Sequence, residues 1–91
     1  QMTTPERMRV DKWLWHARFF KSRSIAAQAV TSGRIRVNGH KISRASAAVR
    51  PGDAVTIIIG RHIRLVSIEA LGERRGPAPE AQLLYNTLDE S

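Results

Sequence analysis

The chain has 91 residues, of which 15 are Lys or Arg and 8 are Asp or Glu, and its net charge is +7. This length fits one small domain with a modest hydrophobic core. The absence of cysteine excludes disulfides and thiolate metal sites and suits a reducing compartment. No apolar run approaches the roughly 20 residues that span a bilayer, so we expect no membrane partner.

The charges are distributed unevenly along the chain. Residues 7–50 contain eleven basic residues and a single acid, Asp11, whereas from Leu65 onward five acids outnumber two basic residues. A strong positive field of this kind most often serves a nucleic acid. The plainer alternative is a basic protein whose charges are only solvated.

The first part of the chain predicts a flexible arm over residues 1–8 followed by a helix. Asp11 is placed to cap this helix, which we expect to run to about Phe20. Its apolar stripe faces the core. Trp15 and Phe19 point to a different side, where they either pack under a neighbouring strand or tail, which we favour, or stack on a base.

A second helix is predicted over residues 23–32. Ser22 is a good N-cap, and Gly33 ends the helix because a left-handed residue after the C-terminus costs glycine no Cβ clash. Lys21 and Arg23 lie beside the helix N-terminus, where free N–H groups favour a phosphate. The predicted apolar stripe of this helix consists of Ile25, Ala26, Ala29 and Val30.

Two hairpins follow. Residues 34–37 alternate basic and apolar side chains, which predicts a strand with Arg34 and Arg36 on one face. Asn38 and Gly39 form a type I′ turn signal, and the short return carries Lys41. A turn at residues 51–53 precedes a β-branched strand over residues 54–59, which Gly60 and Arg61 connect to a returning strand.

The C-terminal part reads as a linker and a final helix. Residues 71–79 are rich in Gly and Pro, and a helix is predicted from Pro79 to about Leu88. So short a helix is marginal alone, and we expect it to dock on its own domain rather than on a partner. The predicted fold is therefore α+β, with two N-terminal helices on a small, mainly antiparallel sheet and a short C-terminal helical tail. The domain boundaries are an arm at residues 1–8, a domain at 9–70 and a tail at 71–91.

The groups that an enzyme needs are not evident. His16, His40 and His62 lie on different predicted elements without ligand spacing, and the acids show no pairing for general acid–base chemistry. Neither a phosphate-binding glycine loop nor a dinucleotide fingerprint is found. We therefore predict no catalytic residue, no metal and no cofactor.

Binding chemistry is better supplied. Basic residues fall into three groups, at the start of each helix and along the first hairpin, and packing of these elements would join them in one concave patch that neutralises phosphates. The candidate binding residues are Arg9, Lys12, Lys21, Ser22, Arg23, Arg34, Arg36, Asn38 and Lys41.

Four sequence blocks resemble the S4-type RNA-binding domain, also called the αL motif. They are residues 9–14 (RVDKWL), 22–24 (SRS), 33–39 (GRIRVNG) and 51–55 (PGDAV), and the match covers residues 7–58. The order and spacing of the four blocks are specific, whereas VNG alone is weak. The resemblance implies a cytoplasmic protein that binds structured RNA, and it implies RNA-facing roles for all the candidates just given except Arg36.

Residues 11–15 and 18–21 are similar to a stand-alone, ribosome-associated heat-shock branch of this family. That similarity implies binding to ribosomal RNA of a large ribosomal subunit that still carries a stalled nascent chain with its tRNA, and a role in recycling it. The chain departs from the branch after Leu71, where the usual basic extension is longer. A module of an RNA-modification system, a DNA-binding module and a protein-interaction module are the alternatives, and a monomer is the favoured state.

Overall fold

Two helices lie against one face of an antiparallel sheet in the computed structural model, which describes residues 6–90. The helices are α1 (Val10–His16), α2 (Arg23–Thr31) and the four-residue α3 (Ala78–Ala81), which a 3₁₀ turn (Gln82–Leu84) follows. The strands are β1 (Met8–Arg9), β2 (Ile35–Val37), β3 (His40–Lys41), β4 (Ala48–Val49), β5 (Ala54–Ile59), β6 (His62–Ile68) and β7 (Tyr85–Glu90). The predicted α+β class is confirmed.

The main sheet has five strands in the order β3-β2-β5-β6-β7, and every neighbouring pair is antiparallel. β1 and β4 form a separate two-stranded sheet, in which Met8 pairs with Val49. Met8 therefore belongs to a strand rather than to the predicted arm, and residues 1–5 of that arm lie outside the described residues.

Alternation along the strands directs one face of the sheet to the helices. Ile35 pairs with Ile57 and Val55 with Val66, so apolar side chains stand opposite each other on that face. The helices contribute their own apolar stripes to the same core. The fully or nearly fully buried core residues include Val10, Trp13, Leu14, Ala26, Val30, Ile35, Val49, Val55, Ile57, Val66 and Ile68.

The first helix differs from its prediction at both ends. Arg9 is the N-cap, whereas Asp11 lies in the first turn, is 3% exposed and accepts the amide of Lys12 at 2.8 Å. The helix ends at His16, not near Phe20, because Arg18 takes a left-handed φ of 63°. The amides of Arg18 and the next residue bond back to the helix carbonyls in a Schellman arrangement, which satisfies them without another helical turn.

The second helix confirms its predicted ends. The Ser22 hydroxyl oxygen accepts the amide of Ile25 at 3.2 Å, and Gly33 has a φ of 81° just after the helix. Ile25, however, is 44% exposed and does not belong to the buried stripe. The residues of α2 that reach the core are Ala26, Ala29 and Val30. Ile25 is rotated away from the centre of that stripe.

Both predicted hairpin turns are present. Asn38 and Gly39 have φ values of 52° and 82°, as a type I′ turn requires. Gly60 has a φ of 60° at the first position of the second turn, between the paired residues Ile59 and His62.

The tail is the largest departure from the predicted secondary structure. The predicted helix from Pro79 to Leu88 is wrong beyond Leu84, because Tyr85–Glu90 form strand β7 against β6. Pairing with β6 satisfies the backbone groups of a segment too short to be stable as an isolated helix. The expectation that the tail docks on its own domain is confirmed.

The ring of Phe19 packs 4.7 Å from that of Tyr85 on β7, which confirms packing rather than exposure for this aromatic. Among residues 6–90, no helix combines the length and apolar character that a membrane crossing needs.

Candidate nucleic-acid interface

A buried carboxylate holds two of the candidate arginines at the start of the helices. Arg9 donates from Nε and Nη2 to the two oxygens of Asp11, each at 3.1 Å, and Arg23 Nε lies 3.7 Å from Oδ2. The Asp11 side chain is 4% exposed, whereas those of Arg9 and Arg23 are 51% and 43% exposed. Asp11 therefore orients both guanidinium groups and leaves them open to solvent.

His16 lies beneath this part of the surface. The residue is 2% exposed, and its Nδ1 is 3.3 Å from the carbonyl oxygen of Leu71. Burial lowers the pKa of His16 below its ordinary value of 6.5, and the nearby positive charges of Lys12 and Arg23 lower this pKa further. We define the helix-start cluster as Arg9, Lys12 and Arg23.

A second group of cations surrounds the first hairpin. Arg36 and Lys41 are directly opposite each other on β2 and β3, and both are exposed. A Cβ placed on Gly33 would lie 2.5 Å from Cε of Lys41, so this lysine crosses the glycine next to Arg34. Only glycine leaves room for that path without displacing the side chain. We define the hairpin cluster as Arg34, Arg36 and Lys41.

Two of the candidates make structural contacts. The side-chain oxygen of Asn38 accepts the amide of Ala54 at 2.9 Å, and its Nδ2 donates to Asp53 at 3.2 Å. Asn38 thereby ties the first hairpin to the turn before β5. Ser22, as described, caps α2, and its hydroxyl is also 3.1 Å from that of Ser24.

In the described part of the chain, the remaining charged candidates are not paired with acids. Within residues 6–90, no carboxylate oxygen approaches within 4 Å of the charged groups of Lys12, Lys21, Arg34, Arg36 or Lys41. Lys21, Arg34, Arg36 and Lys41 are exposed, and Lys12 is partly buried. This surface can therefore neutralise anions at no cost in broken internal ion pairs.

The two clusters lie at opposite ends of α2. The helix-start cluster lies at the beginning of α2 and the hairpin cluster after its end, and nine residues at 1.5 Å each make this helix roughly 14 Å long. An open cleft of about 240 Å³ runs beside α2. It is lined by Phe20, Ile25, Gln28, Ala29, Ser32 and Arg34.

Sequence reasoning missed this cleft because it assigned Ile25 to the core. The signal was available, since Phe20 and Ile25 flank the basic pair Lys21 and Arg23 and thus add apolar surface to a cationic segment. No motif marks the polar residues of the lining.

Several other basic residues hold the C-terminal part in place. Arg18 Nε donates to the carbonyl oxygen of Gly76 at 2.6 Å, and Arg75 donates to the carbonyl of Trp15 at 3.2 Å. The guanidinium of Arg64 lies 5.1 Å from the ring centroid of Phe19. Some of the basic residues therefore stabilise the fold and do not belong to the binding surface.

In the part of the chain that the structure describes, no three His, Asp or Glu side chains are grouped to hold a metal ion. The arrangement is suited to binding an extended anion at two separated sets of cations.

Comparison with known proteins agrees with this architecture. A model of the S4 domain matches residues 8–55, which is more than half of the chain. Heat shock protein 15 of Escherichia coli (strain K12) is 40% identical over 84 residues, which cover 92% of this chain and 62% of the relative. The chain thus spans less than two thirds of the length of that relative, and the predicted similarity to the heat-shock branch is confirmed.

The matches to two further relatives extend over more of the length of those proteins. The RQC P-site tRNA stabilizing factor of Bacillus subtilis (strain 168) is 35% identical over 83 residues, which cover 91% of this chain and 94% of the relative. The crystal structure of heat shock protein 15 from Vibrio cholerae, described as trimeric, superimposes with a TM-score of 0.84 at 40% identity over 90% of this chain and 82% of that one. This chain therefore belongs to the S4 domain family.

Proposed function

We propose that this protein is a non-catalytic RNA-binding factor that engages structured RNA of the large ribosomal subunit when translation has stalled. The observation that carries the proposal is the set of exposed cations at both ends of α2, inside the segment that matches the S4 domain. Four of them have no carboxylate within 4 Å among residues 6–90, namely Lys21, Arg34, Arg36 and Lys41. The name of the Bacillus subtilis relative attributes the stabilisation of P-site tRNA to that protein, which favours tRNA or ribosomal RNA as the target here. Such a factor would act in the cytoplasm, where ribosomes are found.

The mechanism is electrostatic positioning. Cations of the hairpin cluster contact phosphates beyond the C-terminal end of α2, and those of the helix-start cluster contact phosphates near its N-terminal end. Contacts of this kind fix orientation and carry little base information. A-form RNA hides its major groove, so the protein reads backbone shape and 2′-hydroxyl groups.

The proposal is tested by titrating a folded tRNA with the protein over a range of salt concentrations. We expect log K to fall linearly with log salt, by about 0.7–0.9 for each phosphate contact. Arg34→Ala and Lys41→Ala should each weaken binding to all folded RNAs and reduce the slope by about one. A flat plot would contradict the proposal.

The matched control is Arg74→Ala. Arg74 is exposed, pairs with Glu80 at 3.0 Å and lies outside both clusters. This variant should bind with unchanged affinity and slope. Equal losses in Arg74→Ala and Arg34→Ala would show that net charge, and not the described surface, determines binding.

Two further measurements define the partner. Competition between duplex DNA and folded RNA at equal salt tests RNA preference, and stronger binding to the DNA would overturn it. Sedimentation at several protein concentrations tests the assembly, because the Vibrio cholerae relative is described as trimeric and a monomer is only the expectation from sequence.

A further inference from the structure

The cleft beside α2 includes Arg34 of the hairpin cluster and has a mixed lining. Ile25 exposes 44% of its surface there, and Phe20 and Ala29 extend the apolar wall. The polar part of the lining consists of the exposed residues Gln28 and Ser32.

Each polar residue of the lining retains hydrogen-bonding capacity. Ser32 Oγ donates to the carbonyl oxygen of Ala29 at 3.1 Å, which leaves the lone pairs of its oxygen open. The amide of Gln28 offers both a donor and an acceptor. An edge with donors and acceptors beside an apolar wall matches a flat heterocycle that carries polar atoms on its rim.

The surroundings of the cleft select an anionic ligand. Arg34 lines one end, and Lys21 follows the lining residue Phe20 directly in the chain. Neither cation has a carboxylate within 4 Å among residues 6–90. The volume of about 240 Å³ lies below the roughly 300–1,000 Å³ of sites that enclose drug-sized ligands, so the cleft suits one small planar group.

We propose that this cleft receives one unpaired nucleobase of the bound RNA, whose phosphates are held by Lys21 and Arg34 on either side. The inference rests on the proposed function and deepens it, because it requires the target to contain a bulged or single-stranded nucleotide. Bases that leave the helical stack are the usual means by which proteins recognise RNA beyond its shape. The base packs against Phe20 and Ile25, while Gln28 and Ser32 contact its edge.

The test uses the full chain and two RNA hairpins of equal nucleotide number. One carries a single bulged 2-aminopurine, and the other is fully paired with the extra nucleotide at its end. We expect the wild-type protein to bind the bulged hairpin about five- to ten-fold more tightly, the lower part of the range for stacking of one base on a protein. A saturable change in 2-aminopurine fluorescence should accompany binding.

Ile25→Ser should abolish this preference and leave the affinity for the paired hairpin unchanged. The control is Ile63→Ser, which alters an isoleucine of the same 44% exposure on β6, on the face of the sheet opposite the helices. It should retain the preference. Gln28→Ala should reduce the preference about two- to five-fold through the lost contact to the base edge.

The outcomes separate the two proposals. Salt-dependent binding of equal strength to both hairpins would overturn the base site and leave the proposed function standing. Failure to bind either hairpin at low salt would overturn the proposed function, and the base site with it. Loss of preference in Ile63→Ser to the same extent as in Ile25→Ser would also overturn the base site.

Discussion

Replacement of Asp11 by Asn tests whether one buried carboxylate orders the helix-start cluster. Asn keeps an oxygen that can accept the amide of Lys12, which Asp11 accepts at 2.8 Å. It removes the negative charge and the second acceptor that Arg9 uses, and it removes the attraction to Arg23. The shape of the side chain is nearly unchanged, so the effect reports on charge and hydrogen bonding.

The expected loss follows from the exposure of the partners. Breaking a fully buried ion pair costs about 3–5 kcal/mol. Here only Asp11 is buried, while the side chains of Arg9 and Arg23 are 51% and 43% exposed and remain hydrated in the variant. With that discount for solvent screening, we expect a loss of about 1–2 kcal/mol in the free energy of unfolding. For a domain of this size, each kcal/mol lowers Tm by roughly 4–8 °C.

Thermal melting at neutral pH, followed by circular dichroism, measures this loss. The matched control is Asp89→Asn, an exposed carboxylate on β7, which should change stability by no more than about 0.5 kcal/mol. RNA binding gives a second readout. Asp11→Asn raises the net positive charge, which by itself would strengthen RNA binding. Weaker binding at a temperature where both proteins are folded would therefore report that the arginines have lost their orientation. Equal melting temperatures for wild type and Asp11→Asn would refute the assigned role.

Three further predictions concern other contacts. Because burial lowers the pKa of His16, the unfolded chain takes up a proton at higher pH than the folded one, so this contribution to stability is complete above the unfolded value of 6.5 and is lost as the pH falls toward the folded pKa. The urea midpoint should therefore decline less on acidification in His16→Gln than in the wild type, and an equal decline would contradict this. Gly33→Ala should lower the free energy of unfolding by about 1–2 kcal/mol because of the positive φ at this position, and it should weaken RNA binding because the new Cβ displaces Lys41. An unchanged free energy of unfolding in denaturant titrations would show that the backbone is not strained. A double-mutant cycle of Phe19→Leu and Tyr85→Leu should give a coupling of about 0.5–1.5 kcal/mol, and additive losses would show that the ring pair contributes nothing specific.

Features that depend on local chemistry were predictable from the sequence. Ser22 caps α2 because its hydroxyl reaches the amide three residues later, and this geometry requires only neighbouring residues. Gly33 and the pair Asn38 and Gly39 adopt positive φ because few other residues tolerate it. The exposure of Arg36 follows in the same way from the alternation of a strand.

The roles of Asp11 and Ile25 were not predictable in this way. Asp11 has the residue type and position of a cap, but the packing of α2 against α1 brings Arg23 above it and makes it a buried partner of two arginines. Ile25 belongs to an apolar stripe by spacing, yet Ala26 and Ala29 are buried in the core while Ile25 stays 44% exposed beside the cleft. Both outcomes depend on residues distant along the chain.

The residue order alone was enough to establish the family, the α+β class, both hairpins and a cationic first half, because each depends on short-range spacing or on net charge. Tertiary packing decided that the tail becomes strand β7, since its backbone groups find partners along β6 that no isolated ten-residue helix could match. It also decided that the cations stand in two clusters at opposite ends of α2, with a cleft beside that helix. Side chains far apart in the chain meet only where the core brings their backbones together, and the positions of charges relative to one another follow from that core.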